Sequence, residues 1–167
     1  DGTILTNGLQ LTSAQLSNIS FSTVANLNGS SSLTITASDG TTATLTFNIS
    51  AVNDEPTLDV SSFSFDEDTA GSFNVSLTDV DGDSLSITVE ALPIGGTISL
   101  ADGTLLVVGD SLSTSELDGL IFTPNENVNS TQDTIGSFIL SVTDGGGTFS
   151  NSITLVVNAV NDAPTLG

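Results

Sequence analysis

AVNDEPTL at residues 51–58 and AVNDAPTL at residues 159–166 are nearly one phrase written twice. Their asparagines, Asn53 and Asn161, stand 161 − 53 = 108 residues apart. Self-similarity at such a spacing means that one structural unit recurs along the chain. The match spreads outward from the phrase. DGTILTNGLQLTSAQLSNISF at 1–21 lies against DGTLLVVGDSLSTSELDGLIF at 102–122. Asp1, Gly2, Thr3, Leu5, Gly8, Leu11, Leu16 and Phe21 recur as Asp102, Gly103, Thr104, Leu106, Gly109, Leu112, Leu117 and Phe122. After a small insertion, LTITASDG at 33–40 matches FILSVTDG at 138–145. Residues 1–53 therefore read as the C-terminal half of one repeat and 54–58 as a linker. Residues 59–161 read as a complete repeat and 162–167 as the start of the next linker. Pro56 and Pro164 punctuate the joints, because proline fixes φ and drives the preceding residue toward an extended conformation.

Inside each unit the apolar residues alternate with period two. Phe73, Val75 and Leu77 share a face, as do Leu85, Ile87 and Val89, then Phe138, Leu140 and Val142, then Ile153, Leu155 and Val157. The half copy repeats the last two runs as Leu33, Ile35 and Ala37, then Leu45, Phe47 and Ile49. Gly, Asp, Asn or Ser bounds every run, which is the punctuation of strands. Only STSELDGL at 113–120 carries helical spacing, enough for a short turn. The expected fold is all-β: an antiparallel β-sandwich. The half copy lacks a counterpart of residues 56–101. It is expected to be the less stable part unless another segment covers its exposed edge.

Composition narrows the function. The chain has 167 residues, 20 of them acidic, with no Lys, Arg, His or Cys and a formal charge of −20. Nucleic acids and anionic membranes are recognised through Lys and Arg, so neither is an expected partner. Apolar residues make up 37% of the chain and charged ones 12%, a balance that favours a folded core over disorder. No apolar run approaches the ~20 residues that span a bilayer. No disulfide is available, so the fold rests on its core or on bound metal. The opening DGTILTNG has neither an initiator Met nor a signal-peptide pattern and is expected to lie inside a longer, exported polypeptide. Nucleophilic catalysis lacks a His or Lys base, and sugar sites lack their usual Trp or Tyr floor, so no enzyme is expected. Asn-x-Ser/Thr sequences at Asn18, Asn28, Asn48, Asn74 and Asn129 read as chance in a chain rich in these residues.

The carboxylates cluster. DVDGD at 79–83 puts Asp79, Asp81 and Asp83 between two strands, and DED at 66–68 follows FSF. Like charges so close repel one another alone but suit a hard cation that takes several oxygen ligands. An EF-hand fails on two counts. Ser84 stands where the loop requires Gly, and LSITVE reads as a strand that carries Glu90 away from the turn.

The order FSFDEDTAGSFNVSLTDVDGD, then SVTDGGGTFSNSITLVVNAVNDAP, resembles a cadherin repeat, and more closely the cadherin-like tandem repeats of very large secreted bacterial adhesins. The resemblance covers the whole chain. It implies an antiparallel Greek-key β-sandwich of the cadherin/immunoglobulin type, with calcium between consecutive sandwiches. Asn53 and Asp54 match the linker pair, Asp79 and Asp81 the Asp-x-Asp pair after the second strand, and Asp144 the last hairpin turn. These five are expected to converge at one end of the complete unit. Glu67 matches the glutamate near a repeat's start, working with Asn161 and Asp162 at the opposite end. The family's Asp-Arg-Glu motif is absent. Glu116 and Asp118 lie in its region but face Gln15 and Ser17 in the other copy, and are set aside. The function so implied is a calcium-stiffened extender of a cell-surface or secreted adhesin. Its partners would be neighbouring repeats of the same chain, with cell or substratum contact made through other domains. A ligand-recognition sandwich, homophilic or glycan-binding, and an accessory domain of an extracellular enzyme are the alternatives.

Overall fold

A computed structural model describes residues 4–59 and 62–163; the identities at Asp1, Gly2 and Thr3 and the joint residue Pro164 lie outside them. The chain divides into two units, Asp1–Val52 and Asn53–Gly167.

The first unit has one helical turn, α1 (Ser13–Leu16), and a hairpin of β1 (Gly29–Thr36) and β2 (Thr42–Ile49). The turn is held by a capping box. The Gln15 side-chain oxygen accepts from the Thr12 amide at 2.9 Å, and the Thr12 hydroxyl accepts from the Gln15 amide at 3.3 Å. The hairpin pairs Gly29 with Ile49 through to Thr36 with Thr42. Asp39 closes it, accepting from the Thr41 amide at 2.9 Å and the Thr41 hydroxyl at 2.6 Å. Phe21 stacks on Phe47 with ring centroids 4.4 Å apart. No described residue of this unit is buried.

The second unit is a β-sandwich. Its strands are β3 (Thr57–Asp59), β4 (Phe63–Asp66), β5 (Gly71–Phe73), β6 (Ser76–Thr78), β7 (Ser86–Ala91) and β8 (Gly96–Ser99). They continue with β9 (Ser111–Leu112), β10 (Leu120–Pro124), β11 (Ser137–Thr143) and β12 (Thr148–Asn158). One sheet runs β4-β12-β11-β7-β9, another runs β5-β10-β8, and β3 pairs with β6. β5 and β6 are two pieces of a single expected strand. It breaks at Asn74–Val75, where the Asn74 side-chain oxygen accepts from the Gly119 amide at 2.7 Å and Val75 donates to the Leu117 carbonyl at 3.1 Å. The expected antiparallel sandwich has one parallel pair, β4 with β12, from Leu155 opposite Phe63 to Asn158 opposite Asp66. Residues 57 and 58, read as linker, lie in β3, which pairs with β6.

The period-two faces become the core. Ile87, Val89, Phe138, Leu140, Val142, Ile153 and Val157 are all but sealed from solvent. A chain of rings joins the layers: Phe65 lies 5.1 Å from Phe122, and Phe73 lies 6.3 Å, edge on, from Phe138. Such pairs add about 0.5–1.5 kcal/mol each beyond their area burial. Gly96 is small for a reason. A Cβ there would meet the Thr123 carbonyl oxygen at 2.5 Å and the Phe122 ring at 2.6 Å.

Candidate metal centre at the joint

Of the five residues expected to converge at one end of the complete unit, four are joined by two hydrogen bonds, and Asp79 lies in the carboxylate cluster with Asp81. The Asn53 amide donates to Asp144 Oδ2 at 2.8 Å, and the Asp54 backbone N–H donates to Asp81 Oδ2 at 2.7 Å. The joint is thus tied to both acidic loops of the second unit. Asp144 is only 7% exposed. Its other oxygen accepts from the Gly146 and Gly147 amides at 2.7 and 2.9 Å. The Asn53 amide, and then the Gly147 and Gly146 N–H groups, hold the Asp144 carboxyl below its usual range. Gly146 makes the approach possible, because a Cβ there would sit 2.6 Å from the Asn53 side chain.

The DVDGD turn supplies the oxygen cluster. Asp79, Asp81 and Asp83 each place one carboxylate oxygen within 4.8 Å of the others. Calcium–oxygen bonds of about 2.3–2.6 Å let oxygens at such separations share one ion. Asp79 Oδ1 accepts from the Gly82 and Asp83 amides at 2.7 and 3.2 Å, which shapes the turn. Asp79 Oδ2 is buried and has no hydrogen-bond partner among the described residues. A buried anionic oxygen without a donor is costly, and a cation would satisfy it. The donor set, three carboxylates, suits a hard cation. Asp83 belongs to the cluster though the resemblance did not assign it; its signal was the DVDGD spacing itself.

The second expected set is only partly assembled. Glu67 is 5% exposed, and both of its oxygens are engaged. Oε1 accepts from the Val160 amide at 2.7 Å and Oε2 from the side-chain amide of buried Asn129 at 3.1 Å. Glu67 therefore grips the chain one residue before Asn161. Asn161 and Asp162 are exposed, and the Asn161 amide donates to the Asp162 carbonyl at 3.1 Å. Asn53 makes the same local bond to the Asp54 carbonyl, at 3.3 Å. The two sets lie at opposite ends of β12, whose 11 residues span roughly 33 Å at ~3.3 Å per residue. Asn129 was missed as a partner of Glu67, since 62 residues separate them and no local pattern links them.

The residues set aside have other duties. The Glu116 carboxylate accepts from the Ser113 amide and hydroxyl at 2.7 and 2.6 Å. The hydroxyl, and then the amide, hold its pKa below the usual value. It caps a 3-10 turn at Thr114–Leu117, the counterpart of α1. Glu90, the failed EF-hand position, lies in β7 and accepts from the Ser141 hydroxyl at 2.8 Å.

The bacterial Ig domain family matches residues 53–158. The chain belongs to that family. The match begins at Asn53, the joint asparagine. Among solved structures, the surface layer protein SbsC, domains 1–6, is similar at 14% identity and a TM-score of 0.34. That alignment covers 79% of this chain and 17% of the other. SbsC domains 4 and 5 are similar at 14% identity and a TM-score of 0.33, with 78% and 59% covered. This chain thus spans less than two thirds of either. No curated protein matches the sequence. Among the described residues no helix is long and apolar enough to cross a membrane.

Proposed function

We propose that the complete Ig domain is a structural repeat of an exported bacterial surface protein, stiffened at its joint by calcium. In this reading Asp79, Asp81 and Asp83 form the floor of the site, and Asp54 and Asn53 bring the incoming chain to it. Asp144 holds Asn53 in place. An ion that draws oxygens from the joint and from two loops of the domain removes hinge freedom there. The observation that carries the reading is the partnerless, buried Asp79 Oδ2 beside two further carboxylates at the point where the joint is fastened. The −20 charge with no side-chain cation supports it, because bound cations relieve the repulsion. Glu67, Asn161 and Asp162 are the matching half-site for a following repeat. The repeat extends a surface or adhesive protein and has no catalytic role; its partners are neighbouring domains.

The test is a thermal melt with calcium and with excess chelator at fixed high salt, which removes general screening. Calcium is expected to raise the melting temperature of the wild type and leave Asp81→Ala unmoved. A wild type indifferent to calcium would overturn the reading and leave the carboxylates as turn caps.

A further inference from the structure

The complete domain meets the repeated phrase twice, once at each end, and holds different letters of it. At the entry, Asp144 and Asp81 accept from Asn53 and Asp54 through the bonds described above. The residues that follow are fixed as well: Pro56 and Leu58 are buried, and Thr57 pairs with Thr78. At the exit, the domain holds the chain as far as Val160. The Ser130 amide donates to the Val157 carbonyl at 2.9 Å, and the Ser130 hydroxyl accepts from the Val157 amide at 2.8 Å. The Glu67 amide donates to the Asn158 carbonyl at 2.9 Å, and Glu67 Oε1 accepts from the Val160 amide at 2.7 Å. There the hold ends. Asn161 and Asp162 are exposed, and among the described residues the Asn161 side chain bonds only to the Asp162 carbonyl.

Both grips are of a strong kind. Asp144, Asp81 and Glu67 all accept as carboxylates, and hydrogen bonds to an ionised acceptor are about twice as strong as neutral ones. Glu67 and Asp144 are buried, so water competes little for them. Asn129, which occupies the other oxygen of Glu67, is itself fixed by the Thr131 amide at 3.2 Å. The asparagine at the entry serves as a donor. An aspartate at 53 would set one carboxylate against another at Asp144, and like charges so close repel. Every acceptor here is a protein carboxylate bound to a protein N–H group, so neither grip requires a cation.

We infer that each joint is divided between two repeats: the valine belongs to the repeat that ends, and the Asn-Asp pair to the repeat that begins. A following repeat built like this one takes Asn161 and Asp162 as this one takes Asn53 and Asp54. No free linker then lies between the two. The gripped N–H of Val160 and the gripped Asn161 are neighbours, joined by a single planar peptide unit. Freedom is confined to the backbone rotations on either side of that unit. The repeats are coupled through the backbone without metal, and a bound ion adds to a joint that is already short.

In the experiment, residues 161–167 of the full chain are replaced by a second copy of residues 53–167, so that Val160 precedes the copy's Asn53. The chain has no cysteine, so Ser152→Cys at this exposed position in both copies places one spin label on each domain. With excess chelator, the label-to-label distance is expected to be narrowly distributed. One glycine inserted after Val160 keeps both grips but adds slack, and is expected to abolish the narrow distribution. Asn53→Asp in the copy is expected to do the same. In the unextended chain under chelator, the Val160 and Asp54 amides are expected to exchange slowly and the Asn161 amide fast. Three outcomes overturn the inference. The first is a broad distribution in chelator; if calcium then narrows it, the ion is the fastening and the grips are not. A narrow distribution that survives both the glycine and Asn53→Asp is the second. The third is fast exchange of the Val160 or Asp54 amide while the core strands stay protected.

Discussion

Leu16 and Phe21 of the first unit correspond to Leu117 and Phe122 of the second. The first two are 42% and 50% exposed, and the second two 1% and 0%. Leu45 and Ile153 hold the same place on paired strands, at 53% and 0% exposure. The alternation, the hairpin register and the capped turn before the aromatic residue are shared; the opposing layer is not. A period-two pattern selects the side chains that are able to be buried, and a facing sheet decides whether they are. Each large apolar side chain so covered contributes about 1.5–3 kcal/mol. The second unit thus has a source of stability that the first, as it stands, lacks.

Four measurements would break or sharpen that contrast. Phe122→Ala is expected to cost about 3–5 kcal/mol in denaturant unfolding, and Phe21→Ala less than about 1 kcal/mol. Equal costs would mean that the first unit has a core of its own. Calcium at a hundred times its dissociation constant stabilises by about 2.7 kcal/mol. The gain is expected in the second unit alone, read from its slowly exchanging amides. It should disappear with Asp79→Ala and survive Asp39→Ala, since Asp39 closes the β1–β2 turn through Thr41. Gly96→Ala, which drives a Cβ into the Phe122 ring, is expected to lower the second unit's unfolding midpoint by an amount worth about 1–3 kcal/mol.

The smallest effect concerns acid. Asp144 is held below its usual pKa by Asn53 first, and Asp39 is held low by the Thr41 hydroxyl and then the Thr41 amide. A folded pKa below the unfolded value of about 3.9 contributes stability that is present above that value. The contribution is lost as pH falls through the folded pKa. Asn53→Ala is expected to raise the Asp144 carboxyl titration, followed by NMR, and leave that of Asp39 where it is. Equal movement of both would unseat Asn53 as the cause.

Much of this was legible in the sequence because the information is local. The four apolar runs of the complete repeat map onto its core, and the repeated phrase marks the boundary of the family match. STSEL forms the short turn expected of it, while the turn at TSAQL was not expected, although both share a capping pattern of Ser or Thr followed three residues later by Glu or Gln. What escaped is long-range. The break in the strand at Asn74 depends on the Gly119 amide 45 residues away. The hydrogen bonds that hold Glu67, from Asn129 and Val160, join residues far apart in sequence and had no local signal. The carboxylate cluster beside the first joint was easier to foresee, since DVDGD concentrates it in five consecutive residues.

The parallel pairing of β4 with β12 has a mechanical consequence. β4 follows β3 and begins opposite Leu155, and β12 leaves the domain past Asp66, so that β3 must part from β6 before force reaches this pair. Tension applied to the domain's two ends pulls β4 backward and β12 forward along their common axis. The hydrogen bonds between them are sheared together and cannot be peeled apart one at a time. Force is met there by a whole ladder acting at once, a geometry that suits a link in a tether.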